Sequence, residues 1–287
     1  MAEMTEIASA DSAAGKARTR ALIVPREHGA WGLMLVPLFT GVAAGLARAQ
    51  HSWPLLLFVA AALFLFWLRT PVESLLGSGP MTARTSQERW AAFTASLVLA
   101  VASAACLIGL MWGGRNLKLL VIGAVAAGAF IAQTVLRMLG RKARMLSQLA
   151  GIIGLTATAP AALYLGTRHL GSSGVALWTA NWLFAWNQVH FVQVRIHAAR
   201  ASTLRDRLDK GRFFFLAQIL LLAVLVLAVL YHYIPPLVIL AFAPAVVRGM
   251  RWFFRESEPL DVKRLGWSEM RQGITFGILL AIAFIFA

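Results

Sequence analysis

The chain has 287 residues, 59% of them hydrophobic and 14% charged, with 27 Lys and Arg against 12 Asp and Glu. That composition excludes an ordinary soluble enzyme and describes a protein that crosses a membrane several times. A formal charge of +15 would suggest nucleic acid in a soluble domain, but in so apolar a chain the membrane itself accounts for it, and no nucleic-acid partner is expected.

Residues 1–24 carry Lys16, Arg18 and Arg20 in an Ala-, Ser- and Glu-rich tract, and no cleavable apolar core with a small-residue site precedes Pro25. They are predicted to form a disordered cytoplasmic tail, with 25–287 making a single multi-spanning transmembrane domain. The next stretch, PREHGAWG at 25–32, starts the first apolar run. Pro25 suits a helix start, Glu27 the positive end of the helix dipole, and Gly29 and Gly32 a close helix contact. Trp31 serves as an interfacial anchor. His28 is a titratable donor and acceptor beside Glu27, with capping or packing as its plainer use.

Nine apolar runs follow, at 31–47, 53–76, 90–112, 117–139, 146–166, 174–194, 213–233, 236–254 and 267–287. Most are near the roughly 20 residues that a hydrocarbon core requires. The expected fold is therefore all-α: a polytopic membrane helical bundle of about nine transmembrane helices. With the N-terminus inside, 23 of the 27 Lys and Arg residues, all but Arg48, Arg115, Lys118 and Arg168, fall on the cytoplasmic side. The positive-inside rule thus predicts a cytoplasmic N-terminus and an external C-terminus. Cys106 is the single cysteine and lies in an apolar run, so neither a disulfide framework nor a Cys-based metal site is available.

Two cytoplasmic connections are long. Between the second and third runs, LRTPVESLLGSGPMTARTSQERW contains Pro71, Gly77, Gly79 and Pro80 beside Glu73 and Glu88, and predicts repeated helix breaks. The other runs on from His190 through ARASTLRDRLDKGR. Just before it, NWLFAWNQVHFVQVRIHAAR at 181–200 gathers Asn187, Gln188, His190, Gln193, Arg195 and His197. On a helix Asn187, His190, Val194 and His197 share one stripe, and Asn181, Gln188 and Arg195 another. Polar groups at membrane depth turn to a cavity or to neighbouring helices, which marks this segment as a candidate site. The alternative is a helix leaving the bilayer, with Arg195 and Arg200 snorkelling to headgroups.

The HGAW at 28–31, set in PREHGAWGLMLVPLFTG, resembles the hallmark of the YwiC-like family of bacterial multi-spanning membrane proteins, most specifically over 25–41. That likeness implies a bacterial inner (cytoplasmic) membrane. The layout, with nine helices and elaborate loops after the second and sixth, also resembles the UbiA superfamily of intramembrane prenyltransferases. That resemblance implies carboxylates in both loops holding Mg²⁺, and Mg²⁺ holding a prenyl diphosphate. Here the first loop has Glu73 and Glu88 without aspartate, and in the second Asp206 and Asp209 arrive late, after His190 and Gln193.

The leading expectation is a UbiA-like membrane transferase or binder of an isoprenoid or other lipidic small molecule at a cytoplasm-facing polar cavity. His28, Glu73, His190 and Arg195 are its catalytic candidates. Arg69, Gln188, Gln193, His197, Arg141 and Lys142 are its substrate-binding candidates, with Arg84, Arg144 and Lys210 as further cationic donors. Glu73, Asp206 and Asp209 are the candidate metal ligands. A second reading is a non-catalytic metal- or haem-binding protein using His28, His190 and His197 with Glu27 or Glu73, although a seven-residue spacing sets two imidazoles about 10.5 Å apart along a helix. Small-molecule transport is a third, since Pro160, Pro235, Pro236 and Pro244 could kink spans. No P-loop, G-x-S-x-G or HEXXH motif is present.

Overall fold

The computed structural model describes residues 15, 17–25, 28–49, 52–112, 117–140, 143–199, 201, 203–254 and 261–286, apart from the side chains of 28–30, 117, 144 and 262. Among these residues every regular element is helical: α1 at 17–23, α2 (His28–Leu46), α3 (Trp53–Leu76), α4 (Ser86–Trp112), α5 (Leu117–Met138), α6 (Arg144–Thr156), α7 (Thr158–Thr167), α8 (Ser172–His197), α9 (Leu204–Leu230), α10 (Leu237–Phe254) and α11 (Val262–Ile285). Seven stretches are long and apolar enough to cross a membrane, α6 and α7 counting together as Met145–Thr167. The apolar part of α2, Trp31–Leu46, is shorter, and the polar α8 is not among the seven. Each of the nine predicted runs nevertheless corresponds to a helix or, for 146–166, to the α6–α7 pair. Phe213, Leu216, Leu220, Leu227 and Leu230 lie exposed along α9, an apolar surface that lipid must cover.

The helices fall into two units, one of residues 1–27 and 56–114, the other of residues 28–55 and 115–287. In the first, α3 runs straight through Pro71 to Leu76, so the expected break at that proline does not occur. The Arg69–Glu73 ion pair, 2.8 Å and one turn apart, straddles Pro71, and the Ser74 hydroxyl donates to the Pro71 carbonyl at 2.8 Å. The helix stops at Gly77, whose φ of +69° lets the Ser78 N–H turn back to the Glu73 carbonyl. Eight residues on, Thr85 caps α4: its hydroxyl accepts the Glu88 N–H at 3.1 Å, and Glu88 Oε2 accepts the Thr85 N–H at 3.3 Å. Glu88 also takes the Arg18 guanidinium at 2.5 Å, and Trp67 Nε1 donates to the Ile23 carbonyl at 2.9 Å, which ties α1 to α4 and α3. Residues 17–23, within the expected disordered tail, are thus helical; 1–14 lie outside the described residues.

In the second unit, α2 and α7 pack backbone to backbone. A Cβ on Gly41 would sit 2.4 Å from the Ala159 carbonyl oxygen, one on Gly45 2.8 Å from that of Ala162, and one on Gly166 2.2 Å from that of Gly45. This is a small-residue seam, with glycines four apart on α2. The helix divides at Ala157 because Pro160 has no N–H to give the Thr156 carbonyl; beside the break the Thr156 hydroxyl accepts from Trp178 Nε1 at 3.0 Å. Around Phe184, Phe242 and Phe276 an apolar core joins α8, α10 and α11, with Phe184 and Phe276 stacked. The second long connection also proves shorter than expected. α8 persists to His197 and α9 begins at Leu204, capped by Thr203, whose hydroxyl accepts the Asp206 N–H.

Candidate functional site

The polar residues of α8 reach several neighbouring helices. Asn181 Nδ2 donates to Thr40 Oγ1 on α2 at 3.0 Å and to the Leu177 carbonyl at 2.9 Å. One turn and a half further on, Asn187 Oδ1 accepts Gln218 Nε2 from α9 at 2.7 Å, and Gln193 Nε2 donates to Gln148 Oε1 on α6 at 3.2 Å. His190 presses its ring edge-on against Phe214, 5.2 Å between centroids. These amides pair across helices where water is scarce, although Gln218 Oε1 stays buried without a hydrogen-bond partner among the described residues.

Gln188 leads to something different. Its Oε1 accepts from Arg248 on α10 at 2.9 Å, while both terminal nitrogens of that guanidinium pair with the two carboxylate oxygens of Glu269 on α11. The guanidinium also lies over the Phe191 ring, 4.2 Å from its centroid. Arg248 opens onto a cavity of about 480 Å³ between α8, α10 and α11, lined by Arg195, Arg248, Arg251, Arg264 and Arg271 over Phe191, Pro244, Val247, Trp252 and Leu265. Asp261, the one acid among the lining residues, is engaged at the start of α11, accepting the N–H groups of Lys263 and Arg264. Gln188 Nε2, Arg248 Nε and Gln272 Oε1 are buried there without a hydrogen-bond partner among the described residues. Five guanidinia over an apolar floor make a site for an anion that carries a greasy body.

A family model described as YwiC-like protein matches residues 24–163. Over that stretch, just under half of the chain, the sequence is similar to this family. No curated protein matches, and no solved structure matches. The YwiC-like segment opens with PREHGAWG and ends in α7, so the arginine cavity lies wholly beyond it and draws no meaning from the family's description.

The candidate residues take different local partners. Gln188 and Arg195 belong to the cavity or to its Arg248 cluster. Gln193 and His190 face other neighbours, Gln148 and Phe214, and His197 is exposed at the end of α8. Glu73 is buried and paired with Arg69 in the first unit. Asp206 and Asp209 are exposed on the opening turns of α9. The His28 side chain and all of Arg141 and Lys142 lie outside the described residues. Among the described residues no three His, Cys, Asp or Glu side chains gather to hold a metal.

Sequence reasoning passed over Arg248, Glu269, Gln218 and Gln272. A usable signal was there: an arginine and a glutamate within two consecutive apolar runs need partners, and the cheapest partner for each is the other.

Proposed function

We propose that this protein binds the anionic head of a membrane-dissolved amphiphile in the arginine-lined cavity between α8, α10 and α11. An isoprenoid diphosphate is the type compound. One observation carries the reading: the cavity combines five arginines with an apolar floor in a single space. Planar guanidinia fit phosphoryl oxygens in pairs. Phe191, Pro244, Val247 and Trp252 supply a surface that a free inorganic anion would not need. Val247 is about half exposed, leaving a lateral way in for a chain arriving from lipid. By the positive-inside count the cavity opens toward the cytoplasm.

The reading stops at binding: metal-assisted transfer of a prenyl group needs clustered carboxylates at the diphosphate, and among the described residues lining the cavity Asp261 is the one acid. The test uses purified full-length protein in lipid nanodiscs, titrated with farnesyl diphosphate, inorganic diphosphate and farnesol. Farnesyl diphosphate should bind tightest, and Arg251→Gln with Arg271→Gln should weaken it about tenfold or more, as loss of two charge-assisted contacts requires. Equal binding by farnesol, or no binding, removes the reading.

A further inference from the structure

Arg248 lines the cavity, yet both its terminal nitrogens are already taken by Glu269 and one of them also by Gln188. Its remaining donor, Nε, is buried and unreachable from outside. Three of the four terminal N–H groups are thus engaged, and an incoming anion can take the paired donors of both terminal nitrogens only by displacing Glu269. We propose that Glu269 is a built-in competitor, and that it makes the cavity selective for phosphoryl heads over carboxylate heads. The proposal rests on the anion-binding reading above.

The physical argument is one of exchange. A fatty carboxylate arriving at Arg248 swaps one carboxylate for another and must leave Glu269 behind with fewer contacts, so little is gained. A diphosphate brings more negative charge and more acceptor oxygens than Glu269 offers, and it can engage Arg248 together with other arginines of the cavity. The released Glu269 is not stranded, because Arg195 on α8 is a second cation acting on it. Phe191 holds the guanidinium from beneath throughout, so the arginine stays in place while its partner changes.

The experiment compares wild type with Glu269→Gln in nanodiscs, using farnesyl diphosphate, palmitate and inorganic diphosphate as probes. Wild type should prefer farnesyl diphosphate to palmitate. In Glu269→Gln palmitate should tighten by roughly tenfold and diphosphate by less, so that the preference narrows. Weaker diphosphate binding, or an unchanged ratio, overturns the proposal and makes Glu269 a residue that merely positions Arg248. Should Glu269→Gln not fold, Glu269→Asp carries the test: the withdrawn carboxylate must still let palmitate bind more tightly than in wild type, and failure to do so overturns the competitor role. Absence of binding by every probe to folded wild type overturns the cavity reading itself. Inorganic diphosphate binding as tightly as the prenyl compound overturns the amphiphile part of that reading and leaves the Glu269 comparison to decide the competitor role.

Discussion

Asn187 and Gln218 meet across α8 and α9 at 2.7 Å with both side chains buried. Such a bond between membrane helices contributes on average about 0.6 kcal/mol and at most about 1.7 kcal/mol. The cycle of Asn187→Ala, Gln218→Ala and the double variant, followed by denaturant unfolding in detergent, should return a coupling in that range. Arg248 and Glu269 stand to lose more. Their side chains are only 16% and 15% exposed, so Arg248→Gln leaves a carboxylate without its main partner and should cost about 3 kcal/mol, most of it restored in the Arg248→Gln, Glu269→Gln double variant. The polar density of 181–200 was legible in the sequence, but its partners were not. Asn181 bonds Thr40 across 141 positions, and Gln188 bonds Arg248 across 60; no local period encodes such distances. Composition likewise could not separate the arginines that orient the chain from those that share a cavity.

At the level of helices, the glycines divide into two kinds. Gly45 faces the Ala162 carbonyl with no space for a side chain, whereas Gly128 on α5 has nothing within 4 Å of its would-be Cβ. Gly45→Leu should therefore destabilise the fold by about 1–3 kcal/mol or more through overpacking. Gly128→Ala should be neutral or stabilise by up to about 1 kcal/mol, since alanine is the better helix former. Thermal unfolding of the two variants in one detergent checks both. The small-residue stretches AVAAGAF and GLTATAP suggested close faces. In the structure Gly154 does meet Ala126 and Ala129, but Gly128 does not take part. Composition marks where helices can approach, and the rotation of each helix decides where they do. The same limit explains Pro71, which reads as a break in one dimension and is absorbed in a helix whose flanking residues pair across it.

For the molecule as a whole, apolar length was enough to anticipate an all-helical fold among the described residues and to place helix on each of the nine apolar runs, seven of the helical stretches being long and apolar enough to cross a membrane. That is a property summed over many residues, and errors at single positions cancel. Reporter fusions extend the test to orientation: a phosphatase active only outside the cytoplasm should be silent when fused in the connection between α5 and α6, after residue 140, and active after the C-terminal residue. The reverse pattern would invert the topology and turn the arginine cavity to the other face.

The helix α2 (His28–Leu46) has 19 residues, about 28 Å of rod, close to a hydrocarbon layer of about 30 Å. Gly41 and Gly45 are seated on the α7 backbone with no room for a Cβ. The two helices must therefore tilt as one body when a bilayer thickens or thins, and a pair of spin labels, one on each, should report the same separation in short-tailed and long-tailed lipids.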